Sequence, residues 1–214
     1  MSMQIYFVTG TDTGVGKTRV ACDLLRSAQD NGLKTIGFKP VAAGCRIGEK
    51  TNKPINYDAL MLMSAMTEKL SYDQVNPVAL LPAIAPHLAL AQSNQTITVD
   101  DLMQHYQELL NYAADVYVIE GAGGWRVPLN EKETLADFVK CVACSVVLVV
   151  GLRLGCINHA LLTVEAIRAD GLVLAGWIAN QVDPAMTCVE ENIEALQARI
   201  HAPYWGFIPY DQAG

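Results

Sequence analysis

The strongest candidate for chemistry in this chain is a nine-residue stretch near its start, Gly10-Thr11-Asp12-Thr13-Gly14-Val15-Gly16-Lys17-Thr18. Glycines followed by Lys-Thr suit anion binding, because successive backbone N–H groups and the start of a helix converge on phosphate oxygens. The spacing is irregular: counting back from Gly16, the usual G-x-x-x-x-G-K-[ST] pattern meets Thr11 at its first position, with Gly10 one residue early. The flanking sequence restores the reading. Gln4 to Val8 predicts a strand, and Lys17 to about Asn31 predicts a helix that stops at Gly32. In that setting Gly16 leaves room for close approach, Lys17 reaches the β/γ-phosphates and Thr18 holds Mg²⁺.

Ligands of a parallel sheet lie beyond the carboxyl ends of its strands, so residues that end other strands are the next candidates. Lys39 ends the predicted strand Thr35 to Lys39, either as a second cation over the phosphates or as a lysine carrying its charge out to solvent. Glu120 follows the apolar run Val116 to Ile119 and precedes Gly121-Ala122-Gly123-Gly124. It is either a carboxylate for Mg²⁺ or its water shell, or a solvated acid at a strand end. Asp58 opens a predicted helix to Ala65, as an N-cap or as a second metal carboxylate. Asn180 ends the run from Leu174 in Asn180-Gln181-Val182-Asp183; the missing lysine of the N-K-x-D guanine reader weakens a guanine reading, while the Asn180 amide is still able to hydrogen-bond an adenine edge.

The elements that must position these residues alternate along all 214 residues, strand then helix, as βαβ units of a parallel sheet do. After the long loop Pro40 to Tyr57, Thr98-Val-Asp-Asp101 resembles a capping box opening an amphipathic helix. Helices are then predicted at Thr134 to Val142, Asn158 to Ala169 and Met186 to Ile200, between strands at Ser145 to Val150, Leu174 to Asn180 and Tyr204 to Ile208. A single doubly wound, mostly parallel α/β domain over residues 1–214 accounts for the pattern. Hydrophobic residues at 51% and charged residues at 17% exclude general disorder, and a net charge of −7 argues against a nucleic-acid or anionic-membrane partner. The charge is uneven: residues 1–53 hold eight basic residues, Lys50 among them, against four acids, a concentration that suits an anion site. Neither Pro77 to Ala91 nor Val142 to Leu152 offers the roughly 20 apolar residues of a membrane span. With no secretory leader at its start, the chain is expected in the cytoplasm with its six cysteines reduced. The Cys141-x-x-Cys144 pair lacks the partners of a zinc or redox site and reads as two small residues at a helix end.

With these residues in place, the chain resembles the dethiobiotin synthetase family over nearly its whole length. The resemblance is carried in order by residues 10 to 18, Gly-Phe-Lys-Pro-Val-Ala-Ala-Gly (37 to 44), Glu-Gly-Ala-Gly-Gly-Trp (120 to 125), Leu-Gly-Cys-Ile-Asn-His-Ala (154 to 160) and Ala-Gly-Trp-Ile-Ala-Asn (175 to 180). It implies a P-loop NTPase fold and a homodimer that uses ATP and Mg²⁺ to join 7,8-diaminononanoate and CO₂ into a cyclic urea, by way of a carbamate and its mixed anhydride with phosphate. It implies catalytic roles for Lys17, Lys39 and Thr13, and nucleotide contacts from Gly14, Val15, Gly16, Lys17, Thr18 and Arg19. Further nucleotide contacts fall to Asp58, Glu120, Gly121, Ala122 and Gly123, with Asn180, Ile208, Pro209 and Tyr210 framing the base. The metal falls to Thr18, Asp58 and Glu120. The substrate falls to Thr13, Ala43 and Gly123, and across the dimer interface to the helix-start turn Gly155-Cys156-Ile157-Asn158, where Cys156 serves by position and not as a nucleophile.

Three departures from the family pattern stand out. Gly14 replaces a common acid of the phosphate loop, so a carboxylate contact to the substrate ammonium is absent or supplied elsewhere. Ala43 replaces a common serine, removing a hydroxyl whose hydrogen bond is worth on the order of 1 kcal/mol. The chain also stops at Gly214, soon after Asp211, where relatives often continue. The last two bear on turnover and base contacts, not on the reaction class. Other readings of a phosphate loop are an amide ligase of the cobyrinic acid type and a partner-switching ATPase; the latter carries an early second lysine where this chain has Thr11, Asp12 and Thr13. Placed at a strand end facing solvent or ligand, Lys39 is expected to tolerate Lys39→Gln with folding intact and ring formation abolished, as read by unfolding and product assays.

Overall fold

Strands that are covered on both faces read as unbroken apolar runs, as residues 116–119 and 146–150 do here, and both belong to one six-stranded sheet. The computed structural model describes residues 3–49 and 51–210; Lys50, Asp211 and Gly214 lie outside them. The chain begins with β1 (Gln4–Gly10), α1 (Lys17–Asp30), β2 (Thr35–Phe38), the two-residue strands β3 (Val41–Ala42), β4 (Arg46–Ile47) and β5 (Pro54–Ile55), α2 (Tyr57–Ala65) and α3 (Tyr72–Val75). It continues through β6 (Val78–Ala79), α4 (Pro86–Gln92), α5 (Val99–Leu109), β7 (Val116–Glu120), α6 (Leu135–Val142), β8 (Ser145–Leu152) and α7 (Cys156–Ala169). Last come β9 (Leu174–Gln181), α8 (Val189–Gln197) and β10 (Tyr204–Ile208).

The sheet order is β10-β9-β8-β1-β7-β2, with every neighbouring pair parallel. All five residues of β7 are buried, as is every residue of β8 after Ser145. From β1 the chain first builds β2 and β7 on one side, then β8 to β10 on the other. The connections diverge at the carboxyl end of β1, where such sheets place their ligands. Register then decides which residues meet. Val8 of β1 lies opposite Glu120, and Phe38 of β2 opposite Ile119, so Lys39, the next residue, comes level with Glu120.

The helices begin where their caps dictate. At α5 the Thr98 hydroxyl accepts from the Asp101 N–H at 3.2 Å and Asp101 accepts from the Thr98 N–H at 2.9 Å, the reciprocal box expected from the sequence. The predicted helix Met186 to Ile200 is shorter, because Asp183 turns the chain through the Ala185 N–H (2.9 Å) and Cys188 adopts a left-handed φ of 55° just before α8. The segment Pro40 to Tyr57, expected as a long loop, carries the two-residue strands β3, β4 and β5. The helices α3 and α4, four and seven residues long, are too short to show a helical period in sequence.

All six cysteines are free; Cys141 is exposed, whereas burial pushes the Cys144 thiol up to about 12. The pair sits at the end of α6, the helix end expected from the sequence. Among the described residues no helix is long and apolar enough to cross a membrane.

Candidate functional site

The phosphate loop owes its shape to two glycines. A Cβ on Gly10 would lie 2.4 Å from the Val15 side chain, so the early glycine that breaks the usual spacing is where the loop folds back on itself. Gly16, at φ 93°, caps α1 without any side-chain cap, leaving the N–H groups of the first turn to face an anion. The loop is braced from β8 and β9. The Gly151 N–H donates to Thr11 Oγ1 (3.2 Å), the Thr11 N–H to the Val149 carbonyl (3.0 Å), and Asn180 Nδ2 to the Val15 carbonyl (2.8 Å). Asp12 accepts from the Thr13 N–H (2.7 Å) and pairs with Arg153; the N–H bond first, then Arg153, hold its carboxyl below the usual range against partial burial.

Facing this loop is a buried cation held by two carboxylates. Lys39 is 3% exposed, and its Nζ donates to Glu120 Oε1 at 2.8 Å, Asp58 Oδ2 at 3.0 Å and the Gly121 carbonyl at 3.2 Å. An ammonium has three hydrogens, and all three have acceptors here. Burial alone would drag its pKa down, but Glu120 and Asp58 outweigh burial and raise it, so Lys39 stays charged. Asp58 shows the converse: burial favours its neutral form, yet Lys39 outweighs this and lowers its pKa. The alternative of a lysine carrying its charge out to solvent is thus corrected, since Lys39 is buried against Glu120 at the end of β7 and Asp58 at the start of α2. Glu120, at 1% exposure, is likewise no solvated strand-end acid. The N-cap reading of Asp58 is corrected as well: Asn56 caps α2, accepting from the Ala59 N–H at 3.3 Å, which leaves the Asp58 carboxylate to Lys39.

Thr18 Oγ1 donates to Glu120 Oε1 at 2.8 Å, and Glu120 Oε2 is buried without a partner among the described residues. A hydroxyl, a second carboxylate and an orphaned carboxylate oxygen are hard donors that suit Mg²⁺, an ion that keeps waters and phosphate oxygens in its shell. Among the described residues no group of three or more His, Cys, Asp or Glu could hold a metal alone, so such an ion would share its shell with a ligand.

These groups open into a cleft of about 810 Å³. Of the sequence-predicted residues, it brings together Thr13, Gly14, Gly16, Lys17, Thr18, Lys39, Ala43, Asp58, Glu120, Ala122 and Gly123. It does not include Val15 or Arg19, nor the base-framing set Asn180, Ile208, Pro209 and Tyr210 at the ends of β9 and β10. The turn Gly155 to Asn158 also lies outside this cleft; Cys156 is buried at the start of α7. Residues that the sequence reading passed over complete the walls: Asn56, the segment Ala83 to Pro86, and Arg126 to Pro128. Arg126 alone carried a signal, a cation two residues beyond the glycine run.

A family model described as an AAA domain matches residues 4–213. The chain is 54% identical to the ATP-dependent dethiobiotin synthetase BioD of Cellvibrio japonicus, over 98% of this chain and 90% of that protein. It is 45% identical to the protein of the same name from Xylella fastidiosa, over 100% of this chain and 93% of that one. Among solved structures, MinD of Pyrococcus horikoshii complexed with Mg-ADP superposes with a TM-score of 0.58 at 17% identity, covering 99% of this chain and 82% of that one. A ParA family ATPase of Chlorobium tepidum does so at 0.54 and 12% identity, over 99% and 85%. At those identities the likeness is one of fold, the P-loop NTPase fold.

Two outcomes follow from the geometry. The expectation that Lys39→Gln leaves folding intact is corrected: the change strips the buried Glu120 carboxylate of its cation, so stability falls by about 3 kcal/mol; urea unfolding checks this, and an unchanged midpoint contradicts it. For Lys17, burial and then repulsion from Lys39 pull the ammonium from 10.5 down to about 8, against attraction from Glu120, Asp58 and Asp12. Above that pH the ligand-free protein has released a proton that a bound polyphosphate calls back, so nucleotide affinity falls by up to about tenfold per pH unit there. Between pH 8 and 10.5 the unfolded chain holds more protons at Lys17 than the folded chain, so this group makes the fold more stable as pH rises. Calorimetric titration with ATP from about pH 7 to 9.5 checks the binding arm, with Lys17→Met expected to flatten it.

Proposed function

The chain belongs to the ATP-dependent dethiobiotin synthetase family, and we propose on that premise that its cleft joins 7,8-diaminononanoate and CO₂ into the cyclic urea dethiobiotin, a step of biotin synthesis. One observation supports the chemistry most: a phosphate loop with Lys17 and Thr18 opens onto the same cleft as the buried pair Lys39 and Glu120 and the partly exposed Asp58.

In the reaction, one substrate amine attacks CO₂ and loses a proton, giving a carbamate. A carbamate oxygen takes the γ-phosphoryl group of ATP, and ADP departs. The second amine then attacks the carbamate carbon, the C–O bond to phosphate breaks, and the urea ring closes with release of phosphate. Negative charge gathers on the carbamate and on the transferring phosphoryl group. Lys17 stands in the loop that cradles the phosphates and neutralises the second of these charges. Lys39 is a fixed positive charge and not a base, because its two carboxylates keep it protonated. To touch a carbamate it must exchange one of its three acceptors. Asp58, with its side chain 36% exposed, is the partner able to turn away, whereas Glu120 is locked in. Mg²⁺ would be held by Thr18, Asp58 and Glu120, and would there supply positive charge to offset that of the phosphates. The cleft wall of Ala42, Ala43, Ala83, Ile84 and Val127 suits the aliphatic part of the diamine.

The turn at the start of α7 supports a homodimer. Gly155 caps this helix at φ 92° with no side-chain cap, and the neighbouring Leu154 is 96% exposed. Since the turn does not line the cleft of its own chain, a second copy is the natural user of its N–H groups, which would take the substrate's distant carboxylate. Six free thiols suit a cytoplasmic setting.

Supplying diamine, bicarbonate, Mg²⁺ and ATP is expected to yield ADP and the cyclic urea in equal amounts, read by mass spectrometry. ADP release that ignores the diamine contradicts the ligase reading.

A further inference from the structure

Asp170 is in the wrong place for its helix. It is the C-cap of α7, where a carboxylate meets the negative end of the helix dipole. A residue that opposes its own element calls for a compensating contact, and Asp170 has three. Trp125 Nε1 donates to Asp170 Oδ2 at 2.8 Å, Arg126 donates to Oδ1 at 3.0 Å, and the Arg126 guanidinium makes a second approach to Oδ2 at 2.8 Å. The side chain of Asp170 is only 10% exposed and Trp125 is buried, so the Trp125 contact is shielded from water, while Arg126 covers the carboxylate from the solvent side.

What Asp170 grips is the far end of the glycine run that faces the phosphate loop. That run starts at Glu120 and Gly121, which Lys39 holds, and ends at Trp125, whose ring packs edge-on against Phe7 with centroids 6.1 Å apart. Between these ends the backbone lies directly over the phosphate loop. A Cβ on Gly124 would sit 3.6 Å from the Gly10 carbonyl, and one on Gly123 3.8 Å from Thr13 Oγ1. Gly123 is itself at φ 61°, and has no side chain with which to anchor the run. The height of this wall over Thr13 is therefore set from its two ends.

We propose that Asp170 is a positioning residue for the diamine site, fixing the Gly121–Val127 wall through Trp125 and Arg126. This rests on the reading of the cleft given above, in which Thr13 and Gly123 meet the diamine. Asp170 touches no substrate itself. It acts on the wall, while the phosphate loop keeps its separate braces at Val149, Gly151 and Asn180. Loss of the clamp should thus separate diamine binding from nucleotide binding.

The test compares the wild type with Asp170→Ala and Asp170→Asn. The asparagine keeps an acceptor for Trp125 Nε1 and loses the charge that pairs with Arg126. Asp170→Ala is expected to raise the diamine KM by about tenfold or more, as a displaced positioning group does, with the ATP Kd within about twofold of wild type and Asp170→Asn in between. Hydrogen exchange read by mass spectrometry, which needs no turnover, is expected to speed up across residues 121–128 and to stay unchanged in α1. Should the alanine variant not fold, the asparagine variant carries the same comparison. An unchanged exchange rate over 121–128 overturns the clamp, as does a rise in ATP Kd equal to the rise in diamine KM. A wild type that makes no urea counts against the reading of the cleft alone, because the exchange result still decides the clamp.

Discussion

A buried ammonium between two carboxylates organises this protein's cleft. Taking Lys39 and Glu120 out of water costs several kcal/mol for each ion, and their attraction offsets that only with close geometry and filled hydrogen-bonding sites. Both conditions are met on the lysine side, with contacts at 2.8, 3.0 and 3.2 Å to Glu120, Asp58 and Gly121. They are not met on the carboxylate side, where Glu120 Oε2 has no partner among the described residues. Stability alone does not favour such an arrangement, since an apolar pair would fill the same volume at less cost. A ligand that completes the carboxylate does account for it.

That interaction follows from the sheet. Parallel pairing sets β2 beside β7 and β7 beside β1, so three adjacent strand ends deliver Lys39, Glu120 and the phosphate loop to one crevice. The loops that leave those strands have little side-chain substance of their own, and each is held from outside. Residues of β8 and β9 brace the phosphate loop, and the end of α7 holds the glycine run after β7. The α7 helix therefore serves the cleft at one end through Asp170, while the turn at its other end, Gly155, does not line it.

Much of this was legible in the sequence because strands that bury both faces leave apolar runs, and polar residues at the ends of such runs stand out. Lys39, Glu120 and the 10–18 stretch were found in this way, and register then placed them together. The pairing of Lys39 with Glu120 was not legible, since only the parallel alignment of β2 with β7 reveals it. Nor was the role of Asn56, because one asparagine two residues ahead of an aspartate looks no more like a cap than the aspartate does. Asp170 lies 44 residues beyond Arg126, and nothing local announces that contact. The walls from Ala83 to Pro86 belong to turns and a seven-residue helix whose pattern is too short to stand out.

On the function proposed above, Glu120 serves two cations, Lys39 through Oε1 and a divalent ion through the orphaned Oε2. The most direct measurement is the affinity for ATP with and without Mg²⁺, in the wild type and in Glu120→Gln. Mg²⁺ is expected to tighten ATP binding in the wild type, and the glutamine variant to lose this gain while keeping its metal-free affinity. An equal gain from Mg²⁺ in both proteins would contradict it.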